Sequence, residues 1–246
     1  MSNSPHLSSV SGALPSATGG SGSRLAAVPA GTLGLDRGAS IGPQAAALYG
    51  CGYRFAIRIV NLPTHGTNGA LTAEEAKQIL ASGLGLALFQ IYRIHGITTA
   101  QGTADGQFAA QTASGIGFPK GALLWCDLES SAECGGQFFA PDGSRVSAQT
   151  MSTYLANWAS AVTSAGYQAG LYNGPQALLT GEHLSALPGF TAFWKAAASV
   201  PTPTHGYQLG QRNPNKMVDG INIDENVAEA DAKGQLPLFW FSGPSR

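Results

Sequence analysis

Charge is scarce in this chain. Only 11% of its 246 residues are Asp, Glu, Lys or Arg, and the formal net charge is -1. So weak a field excludes electrostatic capture of nucleic acid or of an anionic membrane surface. Long apolar runs are missing as well. The stretch from Leu84 to Ile91 is among the longest, is interrupted by Gln90, and is far too short to cross a bilayer, so no membrane insertion is expected. Cysteine is limited to Cys51, Cys126 and Cys134, an odd number without CxxC or ligand spacing, which reads as packing rather than redox chemistry. His65, His95, His183 and His205 fall singly in loop-like segments, so neither a metal nor any other cofactor is expected. No G-x-S-x-G elbow is present. Gly102-Thr103-Ala104-Asp105-Gly106 lacks both a P-loop lysine and a dinucleotide fingerprint.

The first thirty residues are rich in Ser, Gly, Ala and Pro, with Arg24 almost the only charge and no apolar stretch of signal-peptide length. Residues 1–30 are therefore expected to be a flexible leader and residues 31–246 a single domain. With 43% hydrophobic content, that length can bury a sizeable core.

What the chain does have is short apolar strands alternating with helix-like segments. Strands are expected near Leu33–Asp36, Phe55–Val60, Leu86–Ile91, Ala122–Asp127, Ala169–Tyr172, Ala192–Ala196, Tyr207–Gln211 and Val218–Asp224. Thr72-Ala73-Glu74-Glu75 has the pattern that caps a helix running to about Ser82, Ser147–Ala165 has amphipathic spacing, and Gly102–Ser114 reads as a weaker helix. The order predicts an α/β fold, a TIM-like (β/α) barrel of eight parallel strands; a doubly wound open sheet shares the same order. Connections after the fifth and sixth strands are short or rich in Pro and Gly, so the helical ring is expected to be incomplete there.

The stretch Leu123-Leu124-Trp125-Cys126-Asp127-Leu128-Glu129 is the most informative. Alternation puts Asp127 and Glu129 on one face with Leu123 and Trp125, so two acids project together from a strand's C-terminal end. Adjacent carboxyls disfavour double ionisation, which supplies an acid and a base near neutral pH, the equipment of glycosidic bond cleavage. Asp36 and Asp224 are expected at the ends of two further strands and on the same rim. Asp219 has the opposite side-chain parity to Asp224 and is set aside.

Taken together, these segments resemble a known family. Gly34-Leu35-Asp36, Leu124 to Glu129, Ala169-Gly170-Leu171-Tyr172-Asn173, Phe193-Trp194-Lys195-Ala196, Tyr207-Gln208 and Asp219 to Asp224 resemble, in order and strand-end placement, the glycoside-hydrolase-like domain of unknown function related to glycoside hydrolase family 25, the Chalaropsis-type lysozymes. The resemblance implies a β/α barrel with fewer helices than eight and N-acetylmuramidase activity on peptidoglycan. It carries the acidic positions onto Asp36, Asp127, Glu129 and Asp224. Where the lysozymes have a lysine-containing second strand, this chain reads Phe55-Ala56-Ile57-Arg58-Ile59-Val60.

The expected function is a glycosidase of cell-wall glycan, with Glu129 as general acid and Asp127 ionised beneath it; the alternative is a non-catalytic glycan-binding barrel that retains the acidic pocket. Tyr172 and Trp194 are candidates for stacking on a sugar, or else barrel core. Gln208 would bond a hydroxyl or orient Asp224. Arg58 would lower carboxylate pKa values inside the rim, while Arg93 is expected at the surface. Action at the cell wall, in the periplasm or outside the cell is expected. Without a classical signal it would depend on phage lysis or specialised secretion; an antibacterial role would call for delivery machinery or an immunity protein as partner, and the sequence bears no trace of either.

Overall fold

The computed structural model describes residues 23–64 and 66–243. His65 and residues 1–22 of the expected leader lie outside the described residues. Ser23–Ala27, which composition assigns to that leader, is a strand, β1. It pairs antiparallel with β10 (Leu238–Ser242), Ser23 opposite Ser242.

Eight other strands close a barrel. They are β2 (Leu33–Arg37), β3 (Phe55–Val60), β4 (Gly85–Gln90), β5 (Leu123–Leu128), β6 (Gln168–Asn173), β7 (Phe190–Lys195), β8 (Leu209–Val218) and β9 (Ile221–Ala228). Around the ring they run β4-β3-β2-β9-β8-β7-β6-β5, and β5 returns to β4 through Leu88 to Gln90. The first half of β4 is left free for β10, which pairs at Leu86.

One expectation is corrected. The barrel is mixed, because β9 runs antiparallel to both β2 and β8. Val218 ends β8, and Asp219-Gly220 forms a two-residue turn with both residues at positive φ, 47° and 77°. An Asp-Gly pair flanked by strands is the favoured composition for such a hairpin turn. The expected strand Val218–Asp224 therefore spans the end of one strand, a turn, and half of the next.

Helices α1 (Ala45–Gly50), α2 (Ala73–Ala81), α3 (Thr99–Ile116), α4 (Ala148–Ser164) and α5 (Gly181–Ala186) cover the outside. Thr72, Thr98, Ser147 and Thr180 each cap a helix by accepting from a backbone N–H three residues on. Only a six-residue helix joins β6 to β7, and none joins β7 to β8. His183 lies in α5 rather than in a loop, with its ring closing the cap on Thr180.

Strand alternation divides the core in two. Leu35, Ala56, Leu88, Leu124, Cys126 and Leu171 point outward to the helices, whereas Phe55, Ile57, Ala87, Leu123, Trp125, Ala192 and Trp194 fill the barrel. Bulk inside is matched by its absence opposite. A Cβ on Gly34 would lie 2.0 Å from the Phe55 ring, and one on Gly170 would lie 2.5 Å from Trp125. Phe55 in turn packs on Phe239 of β10, with ring centroids 4.3 Å apart.

Gly102 and Gly106 serve helix packing rather than phosphate binding. They lie one turn apart in α3, where a Cβ would come within 2.1 Å of the Tyr154 carbonyl oxygen and 2.5 Å of that of Trp158, both in α4. Backbone cannot yield as a flexible side chain does. Gly102→Ala should therefore destabilise the protein by about 1–3 kcal/mol through overpacking, despite a helix-propensity gain of roughly 0.5–1 kcal/mol. Urea unfolding measures this, and an unchanged or raised midpoint would rule out the close helix contact.

Candidate active site

Asp36, Asp127, Glu129 and Asp224 all line one cavity of about 410 Å³ at the barrel mouth. The hairpin explains how Asp224 arrives. It lies in the first half of β9, yet β9 enters from the mouth, so Asp224 is the register partner of Asp36 near the end of β2. Asp127 and Glu129 come from the end of β5, across the ring. The cavity wall adds Phe89, Tyr92, Tyr172, Trp194, Gln211 and Pro214.

Two amides hold the β2–β9 acids. Asn226 Nδ2 donates to Asp36 Oδ2 at 2.6 Å, and its Oδ1 accepts from Trp194 Nε1 at 2.8 Å, which fixes the direction of the amide. Gln211 Nε2 donates to Asp36 Oδ2 at 3.2 Å and to Asp224 Oδ2 at 3.3 Å, while its Oε1 accepts from the Tyr172 hydroxyl at 3.2 Å. The backbone N–H of Asn215, a bulge residue at φ 58°, donates to Asp224 Oδ1 at 2.6 Å.

Burial decides the protonation of these groups. It pushes Asp36 up to about 7, assisted by Asp224 and opposed by the Asn226 hydrogen bond. Burial and then Asp224 push Glu129 up to about 7 as well. Asp127, deeper and only 8% exposed, is raised well above the ordinary carboxylate range by burial and then by Glu129, against one hydrogen bond from the Tyr92 backbone N–H. Its Oδ1 is buried without a hydrogen-bond partner. Burial and mutual repulsion thus raise both carboxyls of the pair and oppose their simultaneous ionisation, which leaves one proton for the two to hold. The Tyr172 hydroxyl is also raised, first by burial.

Tyr172 and Trp194 reach the cavity, although both are buried, Trp194 at 2% exposure. Trp194 packs edge-on against Tyr172 with centroids 4.4 Å apart, so the pair forms a cavity floor. Gln208 is not brought to the cavity; it donates to the Thr191 carbonyl at 3.3 Å and to Asp231 Oδ2 at 3.2 Å. Arg58 is not brought there either. Strand alternation between inward Ile57 and Ile59 turns it out to the helical layer, where it is fully buried and its Nε donates to Glu75 Oε1 of α2 at 2.8 Å. Arg93 is half-buried rather than free at the surface, and its guanidinium donates twice to the buried Asp105 of α3, at 2.5 and 2.8 Å. The same carboxylate accepts from the Tyr154 hydroxyl at 2.7 Å. All three cysteines are free thiols.

Gln211 and Asn226 are the site residues that sequence reasoning missed. Asn226 stands two positions after Asp224, the same spacing as Asp127 and Glu129, and ending the strand at Asp224 hid it. Gln211 shares the inward parity of Leu209.

A sequence profile described as the Rv2525c-like, glycoside hydrolase-like domain matches residues 46–233. The chain belongs to this family. Among curated proteins none matches the sequence. Solved structures share the fold. An uncharacterized B. stearothermophilus protein has a TM-score of 0.61 at 21% identity, over 81% of this chain and 96% of that one. The modular autolysin LytC from Streptococcus pneumoniae has a TM-score of 0.58 at 14% identity, over 80% of this chain and 46% of that one. The Clostridium perfringens spore cortex lytic enzyme SleM has a TM-score of 0.55 at 12% identity, over 83% of this chain and 69% of that one. This chain therefore spans less than half of the LytC chain.

The site carries a stability signature with a defined sign. For an acid whose folded pKa lies above its unfolded value, the unfolded chain ionises first, so stability is full below the unfolded pKa and declines as pH rises to the folded one. For Asp36 that window runs from 3.8 to about 7. Asp36→Asn should raise the unfolding free energy at pH 8 by on the order of 3 kcal/mol and leave it little changed below pH 4. Urea titrations at the two pH values check this, and equal effects at both would contradict the buried-acid assignment.

Proposed function

We propose that this protein is a glycoside hydrolase that cleaves the glycan strands of cell-wall peptidoglycan, with Glu129 as general acid. The observation that carries the reading is the convergence of four carboxyl groups from β2, β5 and β9 on one aromatic-walled cavity. A pKa of about 7 leaves Glu129 substantially protonated at neutral pH and able to protonate a leaving glycosidic oxygen. Glu129 is held in place by packing. A Cβ on Gly174 would lie 2.4 Å from the Glu129 Cβ, so glycine at 174 makes room for the acid.

Charge developing at the anomeric carbon would be stabilised from across the mouth by Asp224, which is anchored by two hydrogen bonds, with Asp36 beside it held by two more. Product stereochemistry identifies the attacking group: retention for a carboxylate or a substrate acetamido group, inversion for water. The choice of glycan draws on the fold relatives: LytC was solved with a synthetic peptidoglycan ligand, and SleM is a spore cortex lytic enzyme. The proposed place of action is the cell wall or the periplasm. Among the described residues, no helix is long and apolar enough to cross a membrane.

Wild-type protein should release new reducing ends and muropeptides from purified peptidoglycan, whereas Glu129→Gln should lose roughly 10²–10⁴-fold of that rate while still binding the glycan. The wild-type rate should fall as pH rises through about 7, where Glu129 gives up its proton. Binding without any release by the wild type would favour the non-catalytic glycan-binding barrel instead.

A further inference from the structure

The charge composition of the barrel mouth is one that a neutral glycan leaves unanswered. Four carboxyl groups face the cavity, and none of the described residues lining it is Lys, Arg or His. Four cations elsewhere are paired with acids of their own: Arg58 with Glu75, Arg93 with Asp105, Lys195 with Glu229 and Lys216 with Glu225. Asp127 adds an independent sign of a missing ligand group. It is more than nine-tenths buried, lines the cavity, and leaves Oδ1 without a partner, although buried polar atoms are nearly always hydrogen-bonded. Among the described residues, no three His, Cys, Asp or Glu side chains are grouped so as to hold a metal ion, so a cation answering these acids would be an organic one. Phe89, Tyr92, Tyr172 and Trp194 provide aromatic faces that suit both a pyranose ring and an ammonium group.

We propose that the cavity selects a hexosamine unit whose 2-amino group is free and protonated, so that its ligand is a partially de-N-acetylated cell-wall glycan rather than a fully N-acetylated one. The inference rests on the glycan reading above and adds to it the chemical state of the nitrogen. The seat of the ammonium is the β2–β9 seam. Asp36 Oδ2 is taken by Asn226 and Gln211, which leaves Oδ1 for the ligand, and Asp224 stands directly opposite. An ammonium offers three donors and a full charge, whereas an acetamido nitrogen offers one donor and none. The groups that face Asp36 are Asp224 from β9, Glu129 and Asp127 from β5, and Tyr172 from β6, with no cation among them. A bound ammonium therefore replaces the proton that Asp36 keeps at neutral pH, and binding releases protons. The net charge of -1 is too small for the whole protein's field to produce such a preference.

Titration calorimetry on the full chain carrying Glu129→Gln, which removes turnover, tests the inference with tetramers of glucosamine and of N-acetylglucosamine at about pH 6.5, in two buffers of different ionisation enthalpy. The free-amine tetramer should bind at least ~10-fold more tightly, the equivalent of about 1.4 kcal/mol, and release protons. Adding Asp224→Asn should remove most of that preference, and Asp36→Asn serves as the second variant if the first fails to fold. Equal or tighter binding of the acetylated tetramer overturns the inference, and so does a preference that persists in the variants, which would be bulk electrostatics. Wild-type digestion of de-N-acetylated and re-N-acetylated peptidoglycan separates the two readings. If neither is cut, the hydrolase reading fails and calorimetry still decides the inference. If only the re-acetylated glycan is bound and cut, the inference fails and the hydrolase reading stands.

Discussion

The antiparallel pairing of β9 against β2 is the contact on which both the closure of the barrel and the character of its mouth depend. It seals the ring and, in the same register, sets Asp36 against Asp224. Directly opposed residues of an antiparallel pair have Cβ atoms roughly 4.5–5.5 Å apart, and like charges at that spacing are destabilising. The structure meets this repulsion without a cation. Gln211 places one amide nitrogen between the two carboxyls, Asn226 supplies a second donor, and Asp36 retains a proton near neutrality. Neutral donors relieve the repulsion while leaving the mouth net acidic.

A second polar cluster supports the site from behind. Arg93, just past β4, is locked to Asp105 of α3, which also accepts from Tyr154 of α4 and from Gln101. Gln90 at the end of β4 donates to the Asp105 carbonyl and accepts from Trp158 of α4. Between Gln90 and Arg93 lies Tyr92, which lines the cavity together with Asp127. The close approach of α3 and α4, made possible by Gly102 and Gly106, thus fixes the loop that addresses the deepest acid of the cavity. Helix packing and site geometry form one continuous arrangement here.

How much of this was legible in the sequence follows from what strand periodicity can and cannot say. Alternation was enough to place Asp127, Glu129 and Trp125 on the inner face of β5 and Cys126 on the outer one. It failed at Arg58 because both faces of a barrel strand are buried, so a charged residue among apolar ones carries no sign of its direction. Only its partner, Glu75 in the first turn of α2, discloses that it faces the helices. The reversal at Asp219-Gly220 was written in the dipeptide itself, yet a uniform β/α rhythm masked it. A strand read straight across that turn ends at Asp224 and leaves out Asn226, and the parity of β8 puts Gln211 rather than Gln208 in contact with the acids. The four acids nevertheless face one cavity, as parity implies, because side-chain parity at Asp224 does not depend on the direction in which the strand runs.

The pairing of β1 with β10 has a topological corollary. Ser23 and Ser242 sit face to face at the end of an antiparallel ladder, where paired Cα atoms stand roughly 4.5–5.5 Å apart. With residues 1–22 and 243–246 removed, a short peptide joining Ser23 to Ser242 would turn the polypeptide into a ring that keeps every strand of the barrel. Such a ring could be reopened at the solvent-facing Asp219-Gly220 turn, giving a circular permutant in which β9 and β8, still neighbours in the sheet, become the first and last strands of the chain.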